Sequence, residues 1–177
     1  WVFRMAGVVA AVALAQLERA EGYVAEDREN AKLYQEAVTG CPWLVPQAEP
    51  PYSTHSHHCW AAAFYGESYG VDYEAFKRAC REEGAQVSFG YTQRSWKEAQ
   101  IVAAYEFPVF AEPVAYGKGC PTRCPLYGRE LPYRKGYCPN AEALIPRLCV
   151  TTLSTRRRDE VASGARGLWR AIKRMGW

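Results

Sequence analysis

The sequence has no apolar run long enough to cross a bilayer. Its longest, Ala6 to Ala15, is ten residues, against the about 20 that a membrane-spanning helix needs. A signal peptide is also a poor reading of this stretch. Only Arg4 supplies a positive flank, and the ALAQLER that follows continues a helix with no convincing cleavage site. Charge of one sign is scarce: the net charge is +3, and basic residues alternate with acids except at Arg156-Arg157-Arg158. That balance argues against a nucleic-acid partner, and the triplet reads as a solvated helix start. Lysine is sparse, with six in all (32, 77, 97, 118, 135 and 173). The seven cysteines are odd in number and come without a secretory signal. This favours free thiols in a reducing cytoplasm over a disulfide framework, with Cys59, Cys80 and Cys149 in apolar or helical patterns.

What is present is a chain built to pack. Half of the residues are hydrophobic and 14% are aromatic, enough for a domain with a real core. No proline precedes Pro42, and alanine, leucine, glutamate and arginine dominate the first forty residues, which predicts one long helix. Its first half is apolar all round and its second half charged on most faces, so it should start buried and emerge into solvent. Gly40 ends it. Pro46, Pro50 and Pro51 mark extended linker, and Cys59 to Tyr65 reads as a buried strand. Asp72 caps a helix with Tyr73, Phe76, Ala79 and Cys80 on one face, and Gly84 stops it. Gln86 to Tyr91 alternates like a strand, and residues 92–107 suggest a short helix. Asn140 is a candidate cap for a short helix that Pro146 ends, and Leu148 to Leu153 is strand-like. Ser154 should cap a last helix, Arg156 to Lys173, with Val161, Ala165, Leu168, Trp169 and Ile172 inward. The fold class is thus α/β, with an α+β-like small domain.

Particular stretches resemble the DegT/StrS family of PLP-dependent aminotransferases. Phe3-Arg4-Met5 followed by AAVALAQLE is similar to that family's "N-Y-R-M-x-x-x-x-A-A-x-x-x-x-Q-L". His55, His58 and Trp60 match its "H-x-x-H-x-Y", with tryptophan in place of tyrosine. DYEAFKRACREEGAQVSFGY follows its helix-glycine-strand run, and the Cys120 to Glu142 stretch resembles a subgroup's "C-P-x-x-C-P-x-Y … Y-x-x-G-x-C-P-N-A-E" loop. The resemblance implies a long helix followed by a small mixed or antiparallel sheet with flanking helices, as in the C-terminal domain of fold-type I aminotransferases. Residues 1–45 would join a PLP-binding large domain to a small domain at 46–177. The first residue is not methionine, in keeping with a chain that begins partway through such an enzyme. The implied activity is amino transfer to a keto-sugar, usually nucleotide-linked, by a cytoplasmic homodimer.

The residues themselves bound that expectation. Aldimine chemistry needs a lysine on PLP, an acid on the pyridine nitrogen and a phosphate cradle. None of the six lysines has a family-like context, so the catalytic set in this chain is expected to be none, and the chain alone inactive. The family's asparagine that reaches the cofactor phosphate corresponds to Val2, which has no donor. Arg4 is the remaining cofactor-binding candidate, or else forms an ion pair. His58 and His55 are the substrate-binding candidates, with ordinary strand-entry histidines as the alternative. Cys120, Cys124 and Cys138 permit packed thiols, a loop disulfide, or a zinc site completed by a histidine; no metal is the leading expectation. Besides the aminotransferase reading stand a non-catalytic α/β interaction module and a small zinc-binding module on the Cys120 to Cys138 loop.

Overall fold

The computed structural model describes residues 4–90, 93–94, 100–101, 103–107, 110, 133–154 and 156–177. The chain divides into two compact units, 1–87 with 151–177, and 88–150.

The first unit opens with two helices where composition predicts one, α1 (Gly7–Leu17) and α2 (Ala20–Ala37). No proline or glycine marks the break. It falls where the apolar run meets Glu18 and Arg19, and the Arg19 N–H bonds to the Gln16 carbonyl, one residue short of helical spacing. The two helices also differ in what holds them. α1 has no buried residue, with Val8, Val9, Val12, Leu14 and Leu17 all exposed. The expected burial of its first half is therefore not met within the described chain. α2 buries Asn30, Ala31, Tyr34 and Ala37, a single face at helical spacing.

That face packs on α5 (Arg158–Arg174), which buries Val161, Gly164, Ala165, Leu168, Ala171 and Ile172. Trp169, expected inward, is 49% exposed, with the Lys173 ammonium 5.8 Å from its ring centre. The start of α5 also differs from expectation. Arg157 occupies the cap position without a side-chain capping bond, and Asp159 and Glu160 in the first turn complement the helix dipole instead.

β1 (Leu44–Pro46) and β2 (Cys59–Phe64) pair antiparallel, Leu44 opposite Phe64 and Pro46 opposite Ala62. Under them Trp43, Phe64 and Phe76, all fully buried, meet with ring centres 5.1 to 5.6 Å apart. Such pairs add about 0.5–1.5 kcal/mol each beyond the area they bury. Phe76 comes from α3 (Tyr73–Glu82), which behaves as the sequence predicts. The Asp72 carboxylate accepts from the Ala75 N–H at 2.7 Å, and Gly84 at φ +69° lets the Ala85 N–H close on the Cys80 carbonyl.

The second unit holds β3 (Ser88–Phe89), β4 (Gln93–Arg94), β5 (Gln100–Ile101) and α4 (Pro139–Leu144). β3 is shorter than the alternation suggests because Gln86 at φ +49° and Gly90 at φ +71° turn the backbone at either end. Where a short helix was expected over 92–107, the described residues form the antiparallel β4–β5 pair and a 3-10 turn, Ala104–Glu106. α4 is capped at Cys138 with Pro139 in its first turn, so Asn140 is inside the helix and not its cap. β6 (Leu148–Thr152) runs from this unit into the first, and the hydrogen-bonded order is β1-β2-β6-β3. Ser88 and Phe89 pair antiparallel with Val150 and Cys149. At the other end of β6 the Leu153 N–H donates to the His58 carbonyl. The small sheet is antiparallel, and the class is the mixed α/β one expected.

Among the described residues no helix is long and apolar enough to cross a membrane. None of the five described cysteines is in a disulfide. Cys80 and Cys149 are buried, Cys41 and Cys59 half-buried and Cys138 exposed.

Candidate functional site

The three histidines leave the proline-rich linker and enter β2, but they do not act together. His55 and His57 stack with ring centres 4.5 Å apart. Glu49 gathers this pair: its carboxylate accepts the His55 N–H at 2.8 Å, and lies 3.7 Å from Nε2 of His57 and 3.9 Å from the Arg28 guanidinium. The His57 N–H lies 3.3 Å from Nδ1 of His55, and the Gln47 amide nitrogen lies 2.9 Å from its Nε2, so a donor faces each ring nitrogen. His57 itself sits at φ +55°, a left-handed conformation rarely adopted by residues other than glycine, and its Nδ1 is buried without a partner. Burial, then the neighbouring His55, hold the His57 imidazole below the ordinary histidine range, against the opposing pull of Glu49.

His58 points elsewhere. It is exposed, and its Nδ1 lies 2.9 Å from the Ser154 hydroxyl just past β6. Ser154 in turn donates to the Asp27 carboxylate on α2 at 2.5 Å. Of the two substrate-binding candidates, His55 therefore stands with His57, and His58 with Ser154. Ser154 and Asp27 border a cleft of about 590 Å³ together with Tyr23, Glu26, Arg156 and Arg157. The two arginines are already engaged, Arg156 with the Gln86 amide oxygen at 2.8 Å and Arg157 with Asp159 at 3.1 Å. Sequence reasoning passed over Asp27 and Glu49 and read Ser154 only as a helix cap. No local signal joins Ser154 to its partners, since it lies 96 residues from His58 and 127 from Asp27.

Ser, His and Asp in one chain invite comparison with a hydrolytic triad, but the wiring is wrong. In a triad the histidine removes the serine proton and the carboxylate holds the histidine. Here the serine proton goes to the carboxylate, so His58 cannot activate Ser154 as a nucleophile.

In the second unit Glu142 is the organising group. Its carboxylate accepts from the Gly136 N–H at 2.8 Å, the Cys138 N–H at 3.2 Å and the Tyr105 hydroxyl at 2.5 Å. The Tyr105 bond, then the backbone donors, hold Glu142 below the usual carboxylate range. The same bond, with burial, pushes the Tyr105 phenol up to about 12. The glutamate of the C-P-N-A-E stretch therefore clamps the loop that precedes it.

Arg4 is exposed ahead of α1, and Val2, Cys120 and Cys124 lie outside the described residues. Among the described residues no group of three or more His, Cys, Asp or Glu could hold a metal ion.

Lys32 pairs with Glu29 and Lys77 with Glu74, each within α2 or α3, and Lys135 and Lys173 are exposed. Lys97 and Lys118 are outside the described residues. No described lysine stands with an acid and a phosphate cradle, so the described residues do not by themselves fit PLP.

The profile of the DegT/DnrJ/EryC1/StrS aminotransferase family matches residues 2–115, well over half of the chain. The chain belongs to this family. The match spans α1 to β5, including Arg4, Asp27 and all three histidines. The C-P-N-A-E loop, Ser154 and α5 lie beyond it. DegT/DnrJ/EryC1/StrS aminotransferases are generally PLP-dependent.

Proposed function

We propose that this chain supplies the connecting helix and small domain of a PLP-dependent aminotransferase. The enzyme transfers an amino group to a keto-sugar, most simply a nucleotide-linked one, and works as a homodimer in the cytoplasm. The observation that carries this reading is the family match over 2–115, laid on a helix followed by a small antiparallel sheet with flanking helices. In this division of labour the Schiff-base lysine, the acid for the pyridine nitrogen and the phosphate cradle belong to a large domain that this chain does not contain. Residues 1–45 join it, and 46–177 form the small domain. Arg4, at the head of α1, is the group here proposed to approach the cofactor. His55 and His58, at the entry to β2, are those proposed to approach the substrate. α1, apolar on every side and unburied within the described chain, suits packing against that large domain, because contiguous apolar surface of this kind is a docking feature.

The test is a transamination assay with PLP, an amino donor such as glutamate and a nucleotide-linked keto-sugar. The chain alone should give no turnover. Co-expression with the lysine-bearing large domain of a family enzyme should yield a complex that turns over. Turnover by the chain alone, or failure of the two to associate, would overturn the proposal.

A further inference from the structure

We infer that Asp27 and Ser154 are positioning residues that fix the tautomer of His58, leaving its Nε2 as an outward hydrogen-bond acceptor. The argument is a proton count. A serine hydroxyl has one proton and two lone pairs, and a carboxylate oxygen has lone pairs only. Ser154 donates to Asp27 at 2.5 Å, which uses its proton. The 2.9 Å contact between the Ser154 hydroxyl and Nδ1 of His58 then needs its proton from the imidazole. In the neutral ring Nδ1 is therefore protonated and Nε2 bare, the reverse of the form the free histidine side chain prefers. His58 is exposed, so its bare nitrogen is accessible to a ligand.

The anchoring of His58 is long in sequence, tying the entry of β2 to the exit of β6 and to α2. A bare Nε2 accepts from a hydroxyl or an ammonium group and repels an acceptor such as a carbonyl or a phosphate oxygen. The ligand class it suits is a hydroxyl- or amine-bearing molecule. That ligand assignment rests on the aminotransferase reading, with a sugar hydroxyl or amine as the donor; the tautomer assignment does not.

Long-range proton–nitrogen NMR of the uniformly 15N-labelled protein, at a pH where the ring is neutral, reads the tautomer directly. His58→Gln assigns the signal among the three histidines. The expected result is a protonated Nδ1 in the wild type, kept in Ser154→Thr and lost to the Nε2-protonated form in Ser154→Ala. Asp27→Ala should invert it as well, because the serine proton is then free to turn toward His58; a serine contact serving structure alone would not respond to Asp27. An Nε2-protonated wild type, or a tautomer indifferent to both substitutions, overturns the inference, and the wild-type spectrum decides even if one variant fails to fold. In the assembled aminotransferase, Ser154→Ala should raise KM for the keto-sugar roughly two- to ten-fold, the scale of one hydrogen bond, with kcat less affected. An unchanged KM with the predicted tautomer removes the ligand assignment alone. An inactive wild-type assembly strikes the aminotransferase reading and leaves the tautomer result standing.

Discussion

Replacing Gly167 by alanine tests the packing of the first unit most sharply, because two helix effects oppose each other. Alanine is favoured over glycine inside a helix by about 0.8–1.0 kcal/mol. A Cβ at 167, however, would lie 2.6 Å from the Glu83 carbonyl oxygen and 2.7 Å from both the Ala85 nitrogen and the Gly84 carbonyl carbon. All three atoms are backbone, and comfortable contacts are roughly 3.5–4.0 Å, so helix and loop must separate by about an ångström. Neither yields easily. Arg170 holds the Glu83 carboxylate and carbonyl at 2.8 Å each, and Leu168, Ala171 and Ile172 are buried on the same helix. Overpacking of this kind costs about 1–3 kcal/mol or more. With the helix gain subtracted from the middle of that range, Gly167→Ala should destabilise by about 1 kcal/mol, which lowers Tm by roughly 2–4 °C. Gly22→Ala in α2 is the control, since nothing lies within 4 Å of its added Cβ. It should stabilise by up to about 1 kcal/mol. Urea and thermal melts followed by circular dichroism measure both. A neutral or stabilising Gly167→Ala would refute the close approach of α5 to the 83–85 turn.

Three further outcomes follow from the side-chain environments. His57 is held below its ordinary value of 6.5, so the unfolded chain binds more protons between the folded value and 6.5. Its contribution to stability is complete above 6.5, is lost as pH falls through the folded value, and declines no further below it. Urea melts between about pH 7.5 and 5 should therefore show a fall that His57→Gln reduces; equal slopes would contradict the burial of His57. Glu142→Gln should return the Tyr105 phenol from about 12 toward the ordinary value near 10. Phenolate absorbance titrations read against Tyr105→Phe measure this, and an unchanged Tyr105 would count against the clamp. Burial pushes the Cys80 thiol up to about 12, whereas Cys138 is exposed. Since the thiolate is the nucleophile, a maleimide pulse read by mass spectrometry should, among the described cysteines, label Cys138 first and Cys80 only in denaturant. Native-state labelling of Cys80 would contradict the packing of α3.

The parts of this structure legible in the sequence are those whose causes are local. Asp72 and Gly84 bound α3 because a cap and a left-handed glycine act within a few residues. Val161, Ala165, Leu168 and Ile172 declare the inward face of α5 by spacing alone. Trp169, on the edge of that stripe, is exposed because its ring serves the Lys173 ammonium and not the core. The break between α1 and α2 has no breaker residue to announce it; it follows from tertiary burial of α2 and its absence from α1. Ser154 looked like a helix cap because serine before a helix usually is one, but its hydroxyl serves His58 and Asp27. The candidate site was half-readable for the same reason. A histidine-rich strand entry is visible in sequence, whereas Asp27, Glu49 and Ser154 acquire meaning only when α2, the linker and the end of β6 are brought together.

The central proposal is that this aminotransferase-family chain carries the small domain and not the Schiff-base lysine. Borohydride reduction of the protein incubated with PLP, followed by peptide mapping, tests it most directly. The account predicts no stoichiometric pyridoxyl label on Lys32, Lys77, Lys97, Lys118, Lys135 or Lys173. A single one of these six labelled to completion would contradict it.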